Sequence, residues 1–200
     1  MKNLLFLSFF IGCSGPAKLE VSEFDTSQEI TQDPPIPPVL GVIANENCQQ
    51  VNLGDKACNM RFYDQNGDLW QLSDQSGNVI VLDFSTSWCG PCQQAGHYLQ
   101  PLQDDYSSMG VSIVTVLIDG YTPGTAPSDY EISEWVYSHN VTTVPVLQAS
   151  RELVMDPTGV EGYAISSFPT FLYIDRDMKF YAGHSGYNDQ QAREKIDEAL

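Results

Sequence analysis

VLDFSTSWCGPCQQ, residues 81–94, is the stretch whose reading decides the fold. An apolar run gives way to small polar residues, then Trp88, then Cys89 and Cys92 with Gly90 and Pro91 between them. The run predicts a buried strand, and the Gly-Pro turn predicts the start of a helix. A helix N-terminus carries unsatisfied N–H groups and a partial positive charge. A thiolate placed there is stabilised, so its pKa falls and it becomes the attacking species. Cys89 takes the exposed end and Cys92 faces back toward it, so the pair can close a small disulfide and reopen it. Two other readings of the pair fare worse. A structural zinc site needs four ligands, yet no second close-spaced cysteine pair follows and His97, His139 and His184 are scattered. A purely structural bridge across two residues would constrain almost no chain.

Working outward, NVIVLDF (78–84) and GVSIVTVLID (110–119) are nearly continuous apolar runs. Such runs predict strands covered on both faces, as in a parallel or mixed sheet. Residues 89–108 should be helical, with Gly96 and Pro101 as interruptions that bend the helix. SDYEISEWVYSHN places Ile132, Trp135 and Val136 on one helical face behind a Ser128 cap. MRFYDQNGDLWQL reads as a hairpin around DQNG. VPVL reads as a short strand, TFLYID and KFYAGHS as a second hairpin, and DQQAREKIDEAL as a closing helix. The order predicts an α/β sandwich, a central sheet with helices on both faces.

The chain ends differ in kind from this domain. MKNLLFLSFFIGCSG has one lysine, an apolar run and then small residues, the layout of a secretory signal. The run is far shorter than the ~20 apolar residues that span a bilayer. Residues 14–45 include TQDPPIPPVLG, whose prolines favour an extended, semi-rigid spacer. Residues 1–12 are therefore read as a signal peptide, 13–45 as a tether and 46–200 as the folded domain. The formal net charge of −17 leaves no basic stripe and excludes nucleic-acid binding as a function. An exported protein keeps its disulfides. Of five cysteines, one is odd. FIGC resembles the bacterial lipobox, and that resemblance would put Cys13 in the odd role through lipidation, leaving Cys48 with Cys58 and Cys89 with Cys92. A Cys48–Cys58 bridge would staple the end of the tether to the domain, a contribution of about 2.5–3 kcal/mol on loop-closure grounds. Its alternatives are a second redox-active pair that relays electrons to Cys89 and Cys92, and cysteines that stay unpaired or pair between molecules.

DFSTSWCGPC resembles the active-site segment of the thioredoxin superfamily, and the layout from about residue 58 onward resembles its exported TlpA/ResA-type branch. In the lipobox that FIGC resembles, the cysteine, here Cys13, becomes the lipid-bearing first residue. The alternative is plain secretion with a free Cys13. Ser14 after the cysteine favours the outer membrane in many Gram-negative bacteria. The resemblance implies a thioredoxin-like fold, a central mixed β-sheet flanked by helices on both faces, with an extra N-terminal β-hairpin. It implies a lipid-anchored enzyme of the cell envelope that faces the periplasm and uses no cofactor or metal beyond the Cys89–Cys92 disulfide. Its partners would be disulfide-containing exported proteins and a membrane electron donor. Asp83 matches the buried acid that accepts the proton of Cys92; the alternative is an idle, solvated Asp at a strand edge. Pro169, with Phe168 before it, matches the cis-proline loop facing the cysteines; Pro145 competes for that role. Trp88, Gly90 and Pro91 match the substrate-contacting surface. Three positions depart from the pattern. His97 stands at a frequent helix-kinking proline, Ser85 replaces a frequent tryptophan, and QQAGHY lacks the Glu-x-Pro of TlpA/ResA-type proteins.

These residues leave three function classes to compare. Thiol–disulfide exchange uses all of them, and Gly-Pro between the cysteines is the dipeptide of reducing thioredoxins. A peroxidase would use Thr86 to Cys89 as T-x-x-C, but its motif wants proline where Leu82 stands. A copper-binding or adaptor module would use a longer cysteine spacing and an added histidine.

Overall fold

The computed structural model describes residues 40–43, 52–155 and 162–200. Cys13 and Cys48, and with them the signal and lipid readings, lie outside the described residues. Two strands form the heart of the domain. β4 (Val79–Thr86) is buried at every position and β5 (Val111–Asp119) at all but one, as their continuous apolar runs demand. They sit centrally in a five-stranded sheet of order β6-β5-β4-β7-β8, with β6 at Val146–Gln148, β7 at Thr170–Ile174 and β8 at Phe180–Ser185. The β4–β5 and β5–β6 pairs are parallel; β4–β7 and β7–β8 are antiparallel. The sheet is mixed, as expected.

The N-terminal hairpin is also present, as β2 (Asn59–Tyr63) and β3 (Leu69–Gln71). Its turn closes on the Asp64 carboxylate, which accepts from the amides of Asn66 and Asp68 at 2.8 and 3.0 Å. A third strand, β1 (Gly41–Ile43), pairs antiparallel with β2. It falls inside the stretch read as tether. Its Val42 packs against the core of the domain.

α1 (Gly90–Tyr106) and α3 (Asp189–Asp197) pack Ala95, Leu99, Leu102, Ala192 and Ile196 on Val79 and Val81. α2 (Asp129–Ser138) lays Ile132 and Trp135 on Leu117 and Val146 of the same sheet face. The opposite face, with Ile80, Leu82 and Phe84, is covered by Met60, Phe62 and Trp70 of the three-stranded sheet and by Tyr163. Among the described residues the three α-helices share one face, and the 3-10 turns Leu72–Gln75 and Arg151–Leu153 join the hairpin sheet on the other. The crossovers β4→β5→β6 advance in one direction, so right-handed connections put α1 and α2 on one side. The hairpin sheet takes the other.

Local chemistry explains the ends of these elements. Ser128 and Glu131 form a capping box at α2, worth about 1 kcal/mol in such helices. α1 runs unbroken through Pro101, because its apolar face at Leu99, Leu102 and Tyr106 stays buried on either side of that residue. Its Gly96 has a packing reason: a Cβ there would stand 2.5 Å from the ring of His139. β6 is an edge strand, and the Gln65 side chain covers it. The Gln65 Oε1 accepts from the Val146 amide at 2.8 Å and its Nε2 donates to the Val144 carbonyl at 3.2 Å.

Candidate active site

β4 ends at Thr86, and three residues later the chain turns into α1. Cys89 is the N-cap of α1, with Pro91 in the first turn, where its missing N–H costs nothing. Cys89 and Cys92 are joined as a disulfide with Cα atoms 5.2 Å apart. The Cys92 amide donates to Cys89 Sγ at 3.3 Å, so an orphan N–H of the helix start points at the sulfur. That geometry stabilises negative charge on Cys89 once the bond is open. Cys92 is fully buried and Cys89 almost so, which fits an outer and an inner sulfur. Gly90 and Pro91 between them are exposed.

The second wall is the loop before β7. The Phe168–Pro169 peptide bond is cis, while Pro145 is not among the cis bonds. The Phe168 carbonyl oxygen lies 3.5 Å from Cys89 Sγ. Pro169 is buried and Phe168 half-buried. Trp88, 42% exposed, makes the third side. Of the residues expected at the site, Cys89, Cys92, Trp88, Gly90, Pro91, Phe168 and Pro169 are thus brought together.

Asp83 lies on β4, fully buried, in register with Thr115 on β5 and Phe171 on β7. It does not stand at a solvated strand edge. Its Oδ1 accepts from the Ser85 hydroxyl at 2.7 Å, and its Oδ2 has no partner among the described residues. Burial raises its pKa to about 7; the Ser85 hydroxyl and, more weakly, the Thr115 hydroxyl pull it down. The Thr115 hydroxyl falls outside hydrogen-bond geometry, so its effect is that of a nearby dipole. Thr86 and Ser87 also bury hydroxyls without partners. The Thr115 hydroxyl shares the face of the sheet with Asp83, whereas Thr86, three residues further along β4, points to the opposite face.

Sequence reading missed three neighbours. Asp119 ends β5 and is fully buried; its carboxylate accepts from the Trp88 indole at 2.9 Å and from Arg151. Burial pushes that carboxyl up, but Arg151, the Gly124 amide and the indole outweigh it and hold it below the ordinary range. His139, also buried, faces the carbonyls of Trp135 and Gln93 at 2.8 and 3.1 Å and so ties α2 to the first turns of α1. Burial holds its pKa down. The only sequence signal among these was a carboxylate closing an apolar run. His97 is exposed and packs its ring on His139 at 4.7 Å, a packing role. Cys58 is buried and disulfide-bonded, with its partner outside the described residues. Among the described residues no group of His, Cys, Asp and Glu could hold a metal ion, and no helix is long and apolar enough to cross a membrane.

Comparison with known proteins agrees with this geometry. The pattern of the Redoxin family matches residues 52–200. A thiol-disulfide oxidoreductase ResA of Bacillus thuringiensis subsp. konkukian is 24% identical over 152 residues, which cover 76% of this chain and 79% of the relative. Another, from Oceanobacillus iheyensis, is 44% identical over 104 residues, 52% of this chain and 47% of the relative. Among solved structures, a thiol:disulfide interchange protein DsbE from Chlorobium tepidum superposes with a TM-score of 0.58 at 27% identity, over 75% of this chain and 98% of that one.

Proposed function

Because this chain belongs to the redoxin family and is a thiol–disulfide oxidoreductase, we propose that it reduces disulfides of exported proteins in a bacterial cell envelope. One observation carries the reading: a disulfide at the N-cap of a helix, its outer sulfur held by the Cys92 amide and facing the Phe168 carbonyl.

The steps balance. Cys89 thiolate attacks one sulfur of a substrate disulfide; that bond breaks and the leaving sulfur takes a proton. The enzyme and substrate are then joined through Cys89. Cys92 gives its proton, through a water, to the Asp83 carboxylate, and its thiolate attacks Cys89 Sγ. The bond between Cys89 and the substrate breaks, the departing sulfur takes the proton back from the Asp83 carboxyl through water, the substrate leaves as a dithiol, and the Cys89–Cys92 disulfide remains. A carboxyl poised near pH 7 suits this transfer, since both of its states are populated at neutrality. A membrane electron donor then restores the dithiol. Trp88, Gly90, Pro91 and the backbone at Phe168 and Pro169 receive an extended substrate segment.

The setting follows the same logic. Cys13 carries lipid and holds the domain outside the cytoplasm, on the outer membrane in a Gram-negative cell. Cys58 pairs with Cys48 as a structural bridge. That Cys58 is disulfide-bonded fits an oxidising compartment. Equilibration with glutathione, with thiols counted by mass spectrometry, tests the direction of electron flow. A potential near about −270 mV supports a reductase. A value near about −120 mV makes the protein an oxidant and reverses the proposal.

A further inference from the structure

A second buried carboxylate, Asp119, is bonded to Trp88, the residue before Cys89. Trp88 precedes Cys89 and is 42% exposed, so packing alone leaves its ring free to change rotamer. A hydrogen bond fixes it instead, from the indole N–H to Asp119 Oδ2 at 2.9 Å. The same oxygen accepts from the Gly124 amide at 3.0 Å. The Asp119 carbonyl takes the Ser87 amide at 2.9 Å, which anchors the backbone beside the tryptophan.

A carboxylate with no exposed surface needs a counter-charge, and Arg151 provides it. Arg151 Nε donates to both Asp119 oxygens at 3.0 Å and Nη2 to Oδ2 at 2.7 Å. The arginine comes from a separate segment, the short 3-10 turn Arg151–Leu153 after β6. That turn is itself well seated: Leu153 and Val154 are in the core, and the Ala149 amide donates to the Leu117 carbonyl at 3.0 Å. Without the guanidinium, Asp119 would take a proton or turn toward water. Either change replaces an ionised acceptor, which makes short strong bonds, by a weaker one for the indole.

We propose that Arg151, acting through Asp119, is a positioning residue that fixes the Trp88 indole beside Cys89 and so selects for extended protein disulfides over small ones. The proposal rests on the oxidoreductase reading above. A protein segment needs a rigid aromatic wall to lie against; a small disulfide needs only the sulfur of Cys89. Lysine is no substitute, because a point charge cannot make the paired bonds of a guanidinium.

The test compares the protein with Arg151→Ala, Arg151→Lys, Trp88→Phe and the double variant Arg151→Ala/Trp88→Phe. The probes are insulin as protein disulfide and dithiobis(nitrobenzoate) as small disulfide. In Arg151→Ala the Trp88 indole N–H resonance moves or broadens. KM for insulin rises about tenfold, the size of an interface anchor lost, while kcat and the small-disulfide rate stay within about twofold. Arg151→Lys behaves like the alanine variant, and the double variant is no worse than Trp88→Phe alone. An unmoved indole resonance with an unchanged KM overturns the proposal, as does a double variant whose two losses add. Should Arg151→Ala not fold, Arg151→Gln, which keeps the side-chain stem, is read in its place by the same two criteria. Failure of the unaltered protein to reduce either probe would overturn the oxidoreductase reading itself, a result distinct from the others.

Discussion

Asp83 and Asp119 make an instructive pair. Both are fully buried aspartates, on adjacent parallel strands that run toward the disulfide. Asp83 accepts from one hydroxyl and its Oδ2 has no partner among the described residues, and its pKa rises to about 7. Asp119 meets a guanidinium, an indole and an amide, and its carboxyl stays below the ordinary range. Burial is common to both; the partners decide the charge. The first carboxyl can move a proton at neutral pH, and the second serves as a fixed negative anchor.

The contrast breaks most visibly in stability. Asp83 ionises at about 3.9 in the unfolded chain, so between there and about 7 the folded state holds a proton that the unfolded state has released. Folding stability therefore falls as pH rises through that window, and the full penalty stands above it. Asp83→Asn removes it: the variant should be more stable above pH 7 by about 4 kcal/mol, with little difference below about pH 4. Urea unfolding at two pH values reads this directly, and turnover of the variant should fall because Cys92 loses its proton acceptor. Equal stabilisation at both pH values would mean that Asp83 is not the titrating group.

Arg151→Ala should do the opposite. It strands a buried carboxylate and costs about 2–3 kcal/mol at neutral pH, with a smaller cost in acid, where the stranded group is protonated. The same urea experiment checks it; a neutral result would mean that Asp119 finds another partner. In the unaltered protein the depressed Asp119 contributes stability above the ordinary Asp range, lost as pH falls through its lower folded value.

A smaller effect sharpens the Asp83 side. Ser85→Ala deletes the only hydrogen bond to that carboxyl among the described residues and should raise its pKa by about one unit, since a bond to a charged group contributes about 1.5 kcal/mol. The pH profile of turnover should move upward with it. Thr115→Val should move it in the same direction by less, because that hydroxyl acts only as a dipole. Carbonyl-carbon chemical shifts of Asp83 against pH measure both.

Much of this was legible in the sequence, for physical reasons. β4 and β5 announce themselves because strands buried on both faces must be apolar throughout. Cys89, Cys92 and Asp83 lie within ten residues of one another on one strand-turn-helix unit, so local spacing sets their geometry. The helices on one face did not follow from element order alone, because that depends on which side of β5 the next strand joins. Arg151 was not legible at all. It meets Asp119 across 32 residues, and only the assembled sheet brings them together. β1 was hidden for a related reason: three residues carry little periodicity, and the strand exists because β2 offers it an edge.

The most direct test of the account is to trap the enzyme on its substrate. Cys92→Ser removes the inner sulfur and leaves Cys89 in place. Incubated with insulin, the reduced variant should accumulate a mixed disulfide through Cys89, seen by non-reducing mass spectrometry and absent from Cys89→Ser. If Cys89→Ser forms the adduct and Cys92→Ser does not, Cys92 is the attacking sulfur, and the assignment built on the helix N-cap is wrong.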